Sequence, residues 1–99
     1  MTQFEVYRNP SEASQSFAPF VVVLQSHHLA LDTVLVAPLV TDKLPTSVEP
    51  AIHLDGRSFV VAVTEMGSIR AASLTHAVGV LRDHEDAIRR ALDRLFTGF

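Results

Sequence analysis

Apolar and β-branched side chains recur along the first forty residues in a pattern that predicts β-strands. Apolar and polar positions alternate in QFEVY (residues 3–7), as expected for a strand with one buried face. The runs FAPFVVVLQ (17–25) and TVLVAPLV (33–40) are rich in Val and predict two further strands. Because Pro38 has no backbone N–H to donate, we expect a sheet edge or a bulge near the end of the third strand.

The clearest local signal is a hairpin in the middle of the chain. AIHL (51–54) and RSFVVAVT (57–64) flank Asp55 and Gly56, which readily adopt the positive φ values of a type I′ turn. The following stretch, residues 65–81, mixes small and β-branched side chains and predicts one or two short strands.

The periodicity changes near the C-terminus and predicts one helix from Leu81 onward. Acidic side chains precede basic ones, which complements the helix dipole, and Glu85–Arg89 and Asp86–Arg90 have the spacing of ion pairs. Gly98 is suited to end the helix in the left-handed conformation. Helical spacing relates Leu81, Ile88, Ala91, Leu92, Leu95 and Phe96, which we expect on one apolar face.

The length predicts a single small domain, residues 1–99. The patterns above predict that it has a mainly β, antiparallel fold and one C-terminal α-helix. Hydrophobic residues make up 47% of the chain, enough for a core and, in so small a domain, for a homodimer interface. The net charge of −3, with dispersed basic residues, disfavours direct nucleic-acid binding. The chain has no Cys, no signal-peptide pattern and no run that could span a membrane, so we expect a cytoplasmic protein.

No motif for catalysis or metal binding stands out, and no cofactor is predicted. His27 and His28 would point to opposite faces of a strand, and the other three His are far apart in sequence, so ordinary surface or half-buried His is the better interpretation. There is neither a GxSxG nucleophile motif nor a glycine-rich phosphate loop. An acid–base pair using His53 or Glu65 stays open, but the pattern favours a binding protein over an enzyme.

An ordered set of short stretches resembles the CcdB family of bacterial toxins. The N-terminal QFEVY is similar to the family's first strand, and PFVVVLQS (19–26) to its second strand with a Gln-Ser ending. LVAPL (35–39), PAIHLDG (50–56) and TEMGSI (64–69) follow in the family's order. The segment EDAIRRALDRLFTGF (85–99) resembles the C-terminal helix with its Gly and apolar ending. The resemblance covers essentially the whole chain.

This resemblance implies a fold, a function and partners. Members are homodimers with an SH3-like β-barrel core; they bind the A subunit of DNA gyrase and stabilise its cleaved complex with DNA, without catalysis of their own. A CcdA-like antitoxin neutralises them through a flexible C-terminal segment. The resemblance implies that the gyrase-binding residues are Leu29, Glu85, Asp93, Phe96, Thr97, Gly98 and Phe99.

Several positions depart from the family pattern and keep two alternatives open. Thr97 stands where the best-known member has Trp, Arg70 where the family often has Pro, and His28 where it has an aliphatic residue. Loss of the Trp would suit a homologue that captures antitoxin without poisoning gyrase. An endoribonuclease of the MazF or Kid type is the other alternative, although their Arg-Gly opening motif is missing here.

Overall fold

The computed structural model of the chain describes residues 1–26 and 32–98. Within these ranges the chain forms seven strands followed by one α-helix, with short 3-10 turns between some of them. The strands are β1 (Glu5–Arg8), β2 (Phe20–Val23), β3 (Thr33–Val40), β4 (Ala51–Leu54), β5 (Arg57–Val61), β6 (Gly67–Arg70) and β7 (Ala77–Val80), and the helix is α1 (Glu85–Thr97).

All strand pairs are antiparallel, and the sheet curls into a half-barrel consistent with the SH3-like barrel that the family resemblance implies. The strand order is β4-β5-β3-β2-β1-β7, with β6 also paired to β3. The long strand β3 makes the curl possible, because its first half pairs with β6 and its last two residues pair with β5. The predicted fold class is therefore confirmed as a mainly β antiparallel domain with a C-terminal helix.

The predicted place of Pro38 at an edge or bulge is wrong. Strand β3 is central, and Pro38 lies opposite Val21 of β2. On the other side of β3, pairing with β6 ends at Val36 and pairing with β5 begins at Leu39. A Pro is tolerated there because the ladder on that side is interrupted, so its missing N–H costs little.

The hairpin and the end of the helix agree with the sequence. Asp55 and Gly56 have φ values of 51° and 78°, as a type I′ turn requires, and they join the paired strands β4 and β5. Gly98 has φ of 80°, and its N–H donates to the carbonyl of Arg94 at 2.9 Å. The helix begins later than predicted, at Glu85, because Arg82–His84 form a 3-10 turn first.

The main core lies on the inner face of the curled sheet, and α1 closes it. Ile88 and Ala91 of the helix are fully or almost fully buried against this face, with Leu92 partly buried beside them. Along β1 the alternation holds, since Val6 belongs to this inner core and Tyr7 to a second cluster on the opposite face. The helix is thus anchored by its middle section.

Candidate functional site

The C-terminal end of α1 presents apolar side chains to solvent. Phe96 is 70% exposed and Leu95 is 37% exposed, although both belong to the periodic set predicted to face the core. Within the described residues, the buried part of that set comprises Leu81, Ile88 and Ala91, with Leu92 half-buried. The helix is longer than the surface that it covers, so its last turn carries an exposed apolar tip.

The structure brings four of the predicted site residues together at this tip. Asp93 is one turn before Thr97, and Phe96 and Gly98 complete the same end of the helix. All four are exposed. An exposed aromatic side chain such as Phe96 is typical of protein-binding surfaces.

Thr97, the main departure from the family pattern, uses its polar atom internally. Its hydroxyl donates to the carbonyl of Asp93 within the last turn. Asp93 and Thr97 both lie inside α1, so this is a back-bond from a Thr hydroxyl to the i−4 carbonyl, a common local use of this side chain. The Thr97 hydroxyl is therefore bonded within the helix, and among residues 32–98 the large apolar surface at the tip comes from Phe96 and Leu95.

Glu85 lies at the opposite end of the helix from this tip. Eleven residues separate it from Phe96, which corresponds to about 16 Å along a helix. Its carboxylate pairs with Arg89 at 3.1 Å, as the spacing predicts, whereas no described ion pair joins Asp86 to Arg90. Glu85 is thus held in a local ion pair, and any contact that it makes would belong to a partner long enough to follow the helix.

Two predicted site residues, Leu29 and Phe99, lie outside the described residues, as do His27 and His28. Of the other His residues, His53 and His84 lie next to each other. The backbone N–H of His53 donates to Nε2 of His84 at 3.3 Å, and Nδ1 of His53 is 3.1 Å from the hydroxyl of Ser58. No cluster of three or more potential metal ligands occurs among residues 1–26 and 32–98.

Two titratable side chains of β1, Glu5 and Tyr7, are joined by a hydrogen bond. Tyr7 donates to the Glu5 carboxylate at 2.7 Å. Burial, this hydrogen bond and the charge of Glu5 together raise the pKa of Tyr7 to about 12, so its phenol stays protonated at neutral pH. Burial raises the pKa of Glu5, but hydrogen bonds from Tyr7 and from the Thr2 backbone outweigh it and lower the pKa overall. Neither group is poised to exchange a proton near neutral pH.

A buried carboxylate that the sequence pattern does not reveal ties the loop after β3 to the turn after β5. Glu49 is 5% exposed and accepts hydrogen bonds from Lys43 at 2.9 Å and from Thr64 at 2.7 Å. These hydrogen bonds lower the pKa of Glu49 despite its burial. No local signal marks it, because Thr64 lies fifteen residues further along the chain and meets Glu49 only in the folded protein.

The lowered pKa of Glu49 predicts how stability changes in acid. Because the folded-state pKa lies below the unfolded value, the contribution of Glu49 is complete above about pH 4.5 and is lost as the pH falls through the folded-state pKa. We expect Glu49→Gln to lower the free energy of unfolding by about 1 kcal/mol at pH 7. Urea unfolding of both proteins between pH 2 and 7 should show that difference shrinking below about pH 4.5. As a control, Glu85→Gln removes one partner of an exposed ion pair and should lower the free energy of unfolding by less than about 0.5 kcal/mol. An effect of Glu49→Gln that does not change with pH would contradict the prediction.

Comparison with known proteins identifies the fold and the family. No curated protein sequence matches the chain. An endoribonuclease from a mycobacterial species is similar in structure with a TM-score of 0.77 and 14% identity, covering 97% of this chain and 90% of that one. The toxin MazF-mt6 of Mycobacterium tuberculosis gives a TM-score of 0.68 and 24% identity over 78% of this chain and 84% of its own.

A third similar structure is a mycobacterial endoribonuclease in complex with its cognate antitoxin, with a TM-score of 0.78 and 13% identity over 97% of this chain and 94% of that one. At identities this low, the three structures establish a shared fold and leave the activity open. The sequence model of the CcdB protein family, by contrast, matches residues 3–98. The chain therefore belongs to the CcdB family, the toxins of bacterial toxin–antitoxin pairs.

Proposed function

We propose that this chain acts in the cytoplasm as a homodimeric toxin that binds the A subunit of DNA gyrase and traps the cleaved-DNA complex. The observation that carries the proposal is the exposed apolar tip of α1. Phe96 and Leu95 extend past the part of the helix that packs on the core. Aromatic side chains that a monomer leaves in water are typical anchors of protein interfaces.

The same proposal includes neutralisation by a CcdA-like antitoxin. Family membership supports it, and one structure of similar fold contains a cognate antitoxin. A homodimer is supported by Val78 and Val80, which are each 38% exposed on β7. Among the described strands β7 pairs with β1 alone, so a second copy could cover this edge.

The decisive experiment mixes the purified protein with gyrase, supercoiled DNA and ATP and measures linear DNA released by denaturant and protease. We expect linear DNA to accumulate with toxin concentration. Cleavage of RNA by the purified protein, without trapped DNA, would instead support the endoribonuclease alternative. Antitoxin binding with neither activity would support the binding-only alternative. Either of these results would overturn the proposal of gyrase poisoning.

Phe96→Ala is expected to weaken binding to a gyrase A fragment by about tenfold to a hundredfold, because it removes an exposed aromatic anchor. Titration calorimetry with the fragment measures the change. Phe17→Ala is the matched control, since Phe17 is also an exposed aromatic residue, at 55%, but lies outside the helix. Equal losses for the two variants would show that the helix tip is not the contact surface.

A further inference from the structure

Arg89 of α1 reaches across to the N-terminal segment of the chain. Its guanidinium carbon lies 5.1 Å from the centre of the Phe4 ring, and its Nη2 atom is 3.4 Å from Oε1 of Gln3. The same nitrogen is 3.1 Å from the carboxylate of Glu85, one turn earlier on the helix. One side chain of α1 therefore contacts its own helix and the residues that precede and begin the sheet.

The ring beneath Arg89 is held in place by an unusual backbone conformation. Phe4 has a φ of 68°, which is rare for a bulky residue, and its side chain is buried in the inner core. Its N–H donates to the carbonyl of Val23 at 2.7 Å, and its carbonyl accepts from the N–H of Leu81 at 2.9 Å. A strained conformation persists only where the surrounding contacts determine it, so Phe4 gives Arg89 a fixed platform.

Gln3 extends this contact to the sheet. Its side-chain amide donates to the carbonyl of Leu24, directly after β2, at 2.9 Å, while its side-chain oxygen accepts from Arg89. Hydrogen bonds from a charged donor are stronger than those between neutral groups. A chain of hydrogen bonds thus runs from Arg89 of the helix through Gln3 to the end of β2.

These contacts lie on a different side of the helix from its apolar anchors. Successive residues of an α-helix are about 100° apart around its axis, so Arg89 is about 100° around from Ile88. Ile88 and Ala91 are the buried residues of α1 and form a narrow strip. Because packing along one strip restrains rotation of a helix about its own axis less than contacts on two sides do, Arg89 supplies a second restraint.

The rotation of α1 decides the direction of its exposed tip. Phe96 comes seven residues after Arg89, and residues seven apart lie on nearly the same side of a helix. A rotation that moved Arg89 away from Phe4 would therefore turn Phe96 in the same direction. The Arg89 side chain is itself 52% exposed, so its loss leaves the buried strip of the helix intact.

We propose that Arg89 is a positioning residue for the exposed tip of α1, whose contacts with Phe4 and Gln3 fix the rotation of the helix and so the direction of Phe96. The inference rests on the proposed function, because the partner is taken to be the A subunit of gyrase. A direct contact of Arg89 with that partner would behave differently. A positioning residue acts through Phe96, whereas a contact residue acts whether or not the Phe96 ring is present.

A double-mutant cycle with a gyrase A fragment separates these two roles. We expect Arg89→Gln to weaken binding about fivefold to tenfold in titration calorimetry, because Phe96 is then held less precisely. In a protein that already carries Phe96→Ala, the same change should weaken binding by less than about twofold. Equal factors in the two backgrounds would overturn the proposal, and so would unchanged affinity in both.

Three further variants test the contacts of Arg89. Arg90→Gln is the matched control, since it makes the same change at an exposed neighbour for which residues 1–26 and 32–98 show no ion pair; it should alter affinity by less than about twofold. Gln3→Ala, outside the helix, should weaken binding about threefold. Arg89→Lys keeps the charge without the planar guanidinium and should bind between wild type and Arg89→Gln. Equal losses for Arg89→Gln and Arg90→Gln would contradict a positioning role.

Residual dipolar couplings of the free protein test the helix position without a partner. Arg89→Gln should change the couplings of the N–H groups of α1 relative to those of the sheet, and Arg90→Gln should leave them unchanged. Both variants should melt within about 3 °C of wild type, since exposed contacts contribute little to stability. If wild-type protein does not bind gyrase A, the proposed function fails and the couplings alone decide the positioning role. Unchanged couplings in Arg89→Gln would overturn it.

Discussion

A chain that ends at Thr97 is expected to lose its toxicity while it keeps its fold. Gly98 is exposed and lies just past the helix, and terminal residues usually add little to stability, so deleting Gly98 and Phe99 should lower the free energy of unfolding by no more than about 1 kcal/mol. If the tip is the gyrase contact, losing part of an interface anchor should weaken the complex about thirtyfold or more and prevent growth inhibition. Viable-cell counts after induction, at matched expression measured by immunoblot, test this.

A second deletion separates the contact from the helix cap. Gly98 supplies the N–H that binds the Arg94 carbonyl, so its removal also frays the last turn. Deletion of Phe99 alone leaves this cap in place. We expect loss of toxicity with this shorter deletion as well, and retained antitoxin binding with both. If cells that express either truncated protein die as readily as cells that express the full-length protein, the tail is not the active surface.

The sequence predicts the strands best where local pattern and tertiary environment agree. Strand β3 has the predicted bounds, and the hairpin turn at Asp55 and Gly56 has the predicted φ values. Both signals are local, since they rest on Val-rich runs and on two turn residues. In the run 17–25 the strand extends only from Phe20 to Val23, and Pro19, which suits a loop better than a ladder, lies in a loop held by Asn9.

The helix shows why a candidate site is harder to predict than an element. Periodicity correctly places Ile88, Leu92 and Phe96 along one face of the helix, but it cannot show where along that face the core ends. The sheet covers the helix only as far as Leu92, and beyond that point the same apolar pattern becomes exposed surface. The resemblance to the CcdB family, rather than the pattern itself, predicts that this end has a function.

Some contacts across the sheet have no sequence signature at all. Arg8, Phe20 and Arg57 come from three strands, and only the register of the sheet places them together. The buried Glu49 is similar, since an acidic residue beside a Pro in a polar connection suggests a solvated loop. Features that depend on long-range pairing require the structure.

The largest expected loss of stability comes from Ile88→Ala. Ile88 is fully buried between α1 and the inner face of the sheet, and removal of such a side chain typically costs about 2 to 5 kcal/mol. A domain of this size has a total stability of about 5 to 15 kcal/mol, so the melting temperature should fall by more than about 10 °C. Calorimetry of purified wild-type and variant proteins measures the change.

Leu95→Ala is the matched control on the same helix. Its side chain is 37% exposed, so its loss should cost less than about 1 kcal/mol, whereas it should still weaken gyrase binding if the helix tip is the contact. Equal loss of stability in the two variants would contradict the packing described for α1. We expect instead that Ile88→Ala mainly lowers stability and that Leu95→Ala mainly weakens gyrase binding. That result would mean that one helix has two roles. Its middle section fixes it to the sheet, and that rigid attachment holds the exposed last turn in place for a partner.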